Sequence, residues 1–386
     1  MWIKNQKHWL YYVLIILCMF PFCGIHIGAD TQPWAFLMAC VCLLICGRFR
    51  VFYQQWYALT ILIIGIIFAI SLYYLPMMSV IRRMFSYASI LVIPIAVYNI
   101  PTDNKTDDTI ERVLKVCIWL WLIVGLIQLL FNRMFMAQFI PNMRTTISRG
   151  ATGLANEPSF YGYMCFFFFL FAMQFQRKKY FYMVLAVFQV LFVAQSAMGI
   201  LYFVVFVTVY VIGYIVQQTW QRWVLIGGAV VSFVFLIQCM KLFLPPQGRL
   251  TILFNNFRYY GVSALLNDES GKERIEAVLA GFSHHGFPGL IGEKILMSGL
   301  GGVIYELGIF AIPLFMILLM LMIQGNRGNL AYVQCIAVMV ALLFAIQLSS
   351  PTLALYIGLC GRRIMKESLL REQYEYQNQS TNSQLC

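Results

Sequence analysis

Arg144 and Arg149 precede Glu157 in the stretch RTTISRGATGLANEPSFYG (144–162), which leads straight into the apolar run Tyr163 to Met173. Guanidinium groups grip phosphate-like oxygens through paired, charge-assisted bonds. A carboxylate beside them can take a proton from a hydroxyl. A charged side chain at bilayer depth costs about 2.5–3.5 kcal/mol on insertion scales, so charge against a membrane-like segment is the first candidate for chemistry. Pro158 suits the first turn of a helix, where its missing N–H is no loss. Glu157 then sits at the positive end of that helix dipole, which favours the ionised carboxylate. Simple capping electrostatics explains Glu157 equally, and interface anchoring or ion pairing explains any single arginine. These readings stay open beside an anion site.

Three further groups could carry chemistry. Arg249, Arg258, Lys272 and Arg274 are interleaved with Asp268, Glu269, Glu273 and Glu276, and Tyr259 and Tyr260 adjoin Arg258. Aromatic rings beside a basic group suit a phosphorylated sugar, although a surface helix from Glu269 to Ala280 accounts for several of the charges. His284 and His285, in GFSHHGFPGLIG, are half of the four histidines. Imidazole exchanges protons near neutral pH, and a glycine-rich frame admits a bulky substrate. No Cys, Asp or further His lies at a zinc-ligand spacing from them, so no metal or other cofactor is expected. Glu306, in SGLGGVIYELG (298–308), falls one to two turns inside an apolar helix. An intramembrane carboxylate is a functional candidate with Arg or His as its partner, while snorkelling or structural pairing is the competing account.

The elements that must position these residues follow from composition. Of 386 residues 61% are hydrophobic and 11% charged, far from the roughly one-quarter charge of soluble domains. An all-α polytopic integral membrane protein is expected. Apolar runs begin at Trp9, Pro33, Ala58, Phe85, Val113, Ser159, Tyr180, Trp223, Gly299 and Leu330. The runs from Tyr180 and from Leu330 are each long enough to split in two, giving about 12 transmembrane helices (10–12) at ~20 residues per crossing. The net charge of +12 lies in short turns such as Arg48/Arg50, Arg177/Lys178/Lys179 and Arg362/Arg363/Lys366. That is the positive-inside pattern and no nucleic-acid stripe. With both termini cytoplasmic, parity puts those turns inside and only Arg82 and Arg83 dissent. A single membrane domain over 1–366 then carries outward loops at about 132–158 and 244–298, followed by a polar cytoplasmic tail, 367–386, that need not fold. The eleven cysteines include no CxxC and are given no catalytic or metal role.

GLANEPSFYG (153–162), the outward arginines, the long late loop and SGLGGVIYELGIFA (298–311) together resemble the O-antigen and capsular polysaccharide polymerases, the Wzy-type membrane proteins related to O-antigen ligases. The resemblance implies a GT-C-like glycosyltransferase of the bacterial cytoplasmic membrane, acting on its outer face in exopolysaccharide or lipopolysaccharide biosynthesis. Such an enzyme joins undecaprenyl-diphosphate-linked repeat units and uses no cofactor. A chain-length regulator and a flippase would be its partners, besides membrane lipids. Arg144, Arg149 and Arg249, with Arg258 and Arg274, would hold the diphosphate. Glu157 would be the base, with His284 or His285 competing. A lipid-linked glycan ligase and a flippase or transporter for the same lipids are the alternative functions. The ligases carry a histidine followed by asparagine, whereas Gly286 follows His285 here.

Overall fold

Within hydrocarbon every backbone polar group must bond inside its own segment, so the long apolar runs become helices. The computed structural model describes residues 8–24, 31–46, 50, 54–145, 149–215, 249–260, 272, 276, 279–280, 287–293, 298–326, 330–344 and 350–383. Its helices are α1 (His8–Met19), α2 (Trp34–Cys46), α3 (Gln54–Ser71), α4 (Met77–Tyr98), α5 (Asn104–Leu130), α6 (Pro158–Ala172), α7 (Lys179–Phe188), α8 (Ala197–Ile215), α9 (Arg249–Tyr260), α10 (Gly299–Leu307), α11 (Ala311–Gly325), α12 (Leu330–Phe344) and α13 (Pro351–Ser383). A π-turn over Gln189–Ala194 extends α7, and a 3-10 turn over Gly308–Phe310 joins α10 to α11. Helix α13 continues to Ser383, so the tail expected to need no fold is helical through most of its length.

The expected bundle of about 12 spans is overturned. Among the described residues three helical stretches are long and apolar enough to cross a membrane: Met77–Tyr98, Asn104–Leu130 and Gly299–Gly325. They make this a multi-pass membrane protein. Among the described residues the other apolar helices contribute stretches of 10–17 residues, short of the ~20 that a crossing takes. Hydropathy alone could not see where they stop. Gln195, in the left-handed region at φ 45°, ends the π-turn, and a run of turns over residues 72–75 follows α3. The parity argument for cytoplasmic termini rested on the larger count and falls with it, and the GT-C-like class that the resemblance implied for a bundle of about 12 spans is overturned as well.

Helix α6 lies at the centre. Every residue from Tyr161 to Ala172 is buried, as expected of a helix that is apolar all round. It crosses α8 at Gly162 and Gly199, where a Cβ added to Gly199 would stand 2.8 Å from the Gly162 Cα. Only paired glycines let two backbones approach so closely. The start of α6 thus meets the start of α8, while its end meets the start of α7 through Phe175 and Tyr182, whose ring centroids are 5.3–5.5 Å from their aromatic partners.

At the end of the molecule where α4 turns into α5, charges are paired. Asp103 caps α5 by accepting from the Thr106 N–H at 2.9 Å. Asp107 pairs with Arg362 and with Lys366 at 2.5 Å. Glu111 pairs with Lys115 at 2.5 Å and accepts from the Gln176 N–H at 2.9 Å. Asn99 exchanges hydrogen bonds with the Arg50 backbone at 2.9 and 3.0 Å. The acidic segment 101–112 is therefore the counter-charge of the basic turns. Gly199→Val would overpack the α6–α8 crossing and is expected to lower stability by about 1–3 kcal/mol, read as an earlier thermal transition in detergent. Wild-type stability would show that the helices do not meet so closely.

Candidate functional site

The loop from α5 to α6 is built from inside the bundle outward. Gln128, buried in the last turns of α5, donates to the carbonyls of Phe135 at 2.9 Å and Gly153 at 2.8 Å, and accepts from the Gly153 N–H at 2.7 Å and the Thr152 hydroxyl at 3.1 Å. One amide side chain thereby fixes both limbs of the loop. Gly153 has φ +59°, and an added Cβ would meet the Trp121 and Tyr161 rings at 3.0 Å; both conditions call for glycine. The Ala151 N–H donates to the Val193 carbonyl at 2.9 Å, the Gly24 N–H to Phe139 at 2.9 Å, and Arg133 Nη1 to the Arg149 carbonyl at 2.6 Å. Arg133 therefore holds the backbone at Arg149. Cys23 donates its thiol to the Leu154 carbonyl at 3.9 Å, and burial pushes that thiol up to about 12.

Arg144 and Glu157 meet where this loop becomes α6. The Arg144 N–H donates to the Asn156 carbonyl at 2.7 Å, and Arg144 Nη1 lies 2.9 Å from Glu157 Oε1. Ser159 donates to the other carboxylate oxygen at 3.1 Å. The Glu157 side chain makes no cap to its helix, so it serves this pair and not the helix N–H groups. Arg144 is 65% exposed and Glu157 20%. Arg149 is half-buried eight positions earlier, and no carboxylate faces it among the described residues. Arg144 and Glu157 thus give a charged rim with one carboxylate reachable from solvent, and Arg149 lies on the same loop, its backbone held by Arg133.

A second charged cluster lies on α4 and α10. Ser298 caps α10 by accepting from the Gly301 N–H at 3.0 Å, and Glu306 is fully buried. Arg83 donates to both of its oxygens, Nε to Oε1 at 2.7 Å and Nη2 to Oε2 at 2.9 Å. The Tyr87 hydroxyl donates to Oε2 at 2.7 Å and the Gly292 N–H to Oε1 at 3.2 Å. The basic pair that broke the sorting pattern thus contains the partner of the intramembrane carboxylate. Arg83 and Tyr87 carried no recognised motif, and the one signal for them was that dissent.

His284, His285 and Arg274 lie outside the described residues, as does the side chain of Arg249, which opens α9. Arg258 is exposed on α9 beside the exposed Tyr259. Lys272 and Glu276, 3.8 Å apart and exposed, make the one-turn pairing of a surface helix. Among the described residues no group of three or more His, Cys, Asp or Glu is placed to hold a metal. No protein-family model, no curated protein and no solved structure matches the chain. The assignment to the Wzy-type O-antigen polymerases, with its capsule, lipopolysaccharide and glycosyltransferase family terms, is therefore corrected: nothing matched carries it, and three membrane-length helices conflict with its twelve.

Removing either partner of the buried pair leaves an uncompensated charge. Glu306→Ala is expected to destabilise by about 3–5 kcal/mol, and the double variant with Arg83→Ala by less than the two single losses added. Additive losses in the cycle would show that the two side chains do not interact. The raised Cys23 thiol is protonated at neutral pH, so maleimide labelling there should be far slower than at an exposed cysteine; rapid labelling at pH 7 would contradict its burial.

Proposed function

We propose that the protein is a membrane enzyme that transfers a glycan between lipid carriers, extending undecaprenyl-diphosphate-linked oligosaccharide units. The observation that supports this best is the Arg144–Glu157–Ser159 cluster with Arg149 at the start of α6. The donor is already activated by its diphosphate, so the reaction asks for little beyond charge stabilisation and one base. Arg144 and Arg149 would bind the diphosphate and offset the negative charge that develops as it leaves. Glu157 would accept the proton of the attacking sugar hydroxyl. The hydroxyl oxygen bonds to the anomeric carbon, the bond from that carbon to the diphosphate oxygen breaks, and the electron pair departs with the diphosphate.

Glu157 and Arg144 are bonded to each other before substrate arrives. A diphosphate that engages Arg144 would draw the guanidinium away and release the carboxylate oxygen as a proton acceptor, so donor binding would ready the base. The pairing is exposed enough for exchange, since surface ion pairs contribute only ~0–1 kcal/mol.

The orientation follows from the opposite end. Arg50, Arg177, Arg362, Arg363 and Lys366 gather around the α4–α5 turn, which the positive-inside rule assigns to the cytoplasm. The Glu157 rim then faces the periplasm or exterior of a bacterial cytoplasmic membrane, where lipid-linked glycans are elongated. A flippase would deliver the substrate, and a chain-length regulator would be a further partner.

Purified protein supplied with a lipid-linked repeat unit is expected to give a glycan ladder and free undecaprenyl diphosphate. Glu157→Gln should abolish the ladder while retaining donor binding, and Arg144→Ala with Arg149→Ala should weaken binding by about tenfold or more, since charged hydrogen bonds contribute ~1.5–3 kcal/mol each. Product formed only when a separate acceptor is added would assign ligation in place of elongation. A normal ladder from Glu157→Gln would remove the glutamate from the mechanism.

A further inference from the structure

Arg83 is held in a way that a simple ion pair does not require. Glu306 accepts four donors, two from Arg83 and one each from Tyr87 and Gly292, which fills the lone-pair capacity of a carboxylate. Being 1% exposed, it can neither turn nor exchange partners. The guanidinium is fixed in turn: Nε and one Nη2 hydrogen point at Glu306, and its carbon lies 5.8 Å above the Tyr87 ring. A guanidinium has five N–H donors; two go to Glu306, the Tyr87 side chain also bonds the guanidinium, and the donors left over have no other acceptor among the described residues. They belong to an edge that faces away from Glu306, on a side chain 20% exposed.

Arg83 also sits at the same end of the molecule as the Glu157 rim. Helices α4 and α5 are joined through residues 99–103, so the start of α4 and the end of α5 are the ends remote from that turn. Phe85, two positions on, packs edge-on against Phe36 at 5.6 Å, at the start of α2. The segment leading into α2 is tied in its turn to the α5–α6 loop by the Gly24 and Phe139 backbones. Arg83 is nonetheless carried on different elements from Arg144 and Arg149, six residues into α4.

We propose that Arg83 binds the phosphate of a second lipid-linked substrate, its open guanidinium edge presented by Glu306. This rests on the transfer reaction proposed above, in which two carriers, each with its own diphosphate, must be held at once. The donor diphosphate belongs to the Arg144 and Arg149 rim, and the acceptor carrier to Arg83. Glu306 and Tyr87 are then positioning residues: they fix the plane of the guanidinium and take no part in bond making.

Undecaprenyl diphosphate binding to the full chain in phosphatidylcholine nanodiscs tests this by stoichiometry. Two molecules are expected on the wild type, one on Arg83→Gln, and one on the Arg144→Ala/Arg149→Ala variant. Arg83→Lys keeps the charge beside Glu306 and the fold but loses the planar edge, so it too should bind one, with its thermal transition within a few degrees of wild type. Glu306→Gln should weaken the second binding step by about tenfold or more while the first is unchanged. Two molecules on a folded Arg83→Lys protein, or a second step displaced by equimolar phosphatidylglycerol, would overturn the acceptor site. One molecule on the wild type, lost with Arg144 and Arg149 only, would also overturn it and leave the transfer reaction standing. No binding to the wild type would remove the transfer reaction and the acceptor site with it.

Discussion

The burial of α6 on every side is the constraint from which the rest follows. A helix carrying Phe166 to Phe169 and Phe171 can bury those rings in all directions only if neighbours surround it, and aromatic side chains contribute most of the area in such a core. Trp121 of α5 packs on Tyr161 and Phe168 with centroids 5.2 and 5.8 Å away, while Phe169 meets Phe203 and Phe206 of α8 at 5.1 and 5.0 Å. A helix fixed so completely is a rigid mount. Glu157 stands at its exposed end, and the loop before it is fastened by Gln128 to the same core, so the charged rim inherits the precision of the packing.

The two ends of the molecule handle charge differently. Around the α4–α5 turn, acids and bases neutralise each other in pairs and networks, as structural charge does. At the other end, among the described residues, Arg149 faces no carboxylate, Arg83 is bonded to Glu306 along one edge, and Arg144 is bonded to a carboxylate that solvent can reach. Cations held by their own bonds suit anion binding, because a cation already oriented loses little freedom when a ligand arrives.

Much of this was legible in composition and local chemistry. Helical membrane character followed from the apolar fraction, the start of α6 from Pro158, and the break between α7 and α8 from the length of the run after Tyr180. The span count was not legible, since apolar runs state what can enter a membrane and not where a turn will shorten a helix, as Gln195 does. Tertiary partners were beyond reach for the same reason. Arg83 and Glu306 are separated by 223 positions, and nothing local to either predicts the other, although an arginine on the wrong side of the sorting rule marked a site in need of a partner. Gln128 left no trace at all, because a glutamine near a helix end has many uneventful explanations.

Thr352, at the start of α13, donates to the Cys18 carbonyl at 2.7 Å across a separation of 334 positions, and Arg362 reaches the Pro101 carbonyl across 261. Helix α13 therefore closes the molecule against α1, and it can do so only after the helices between them have been made. Until then the helices made earlier stand in the bilayer with Asp107 and the Cys18 carbonyl unpartnered, a state in which a chaperone or insertase is the natural custodian. A chain halted before residue 352 would hold the earlier helices without the one that closes them.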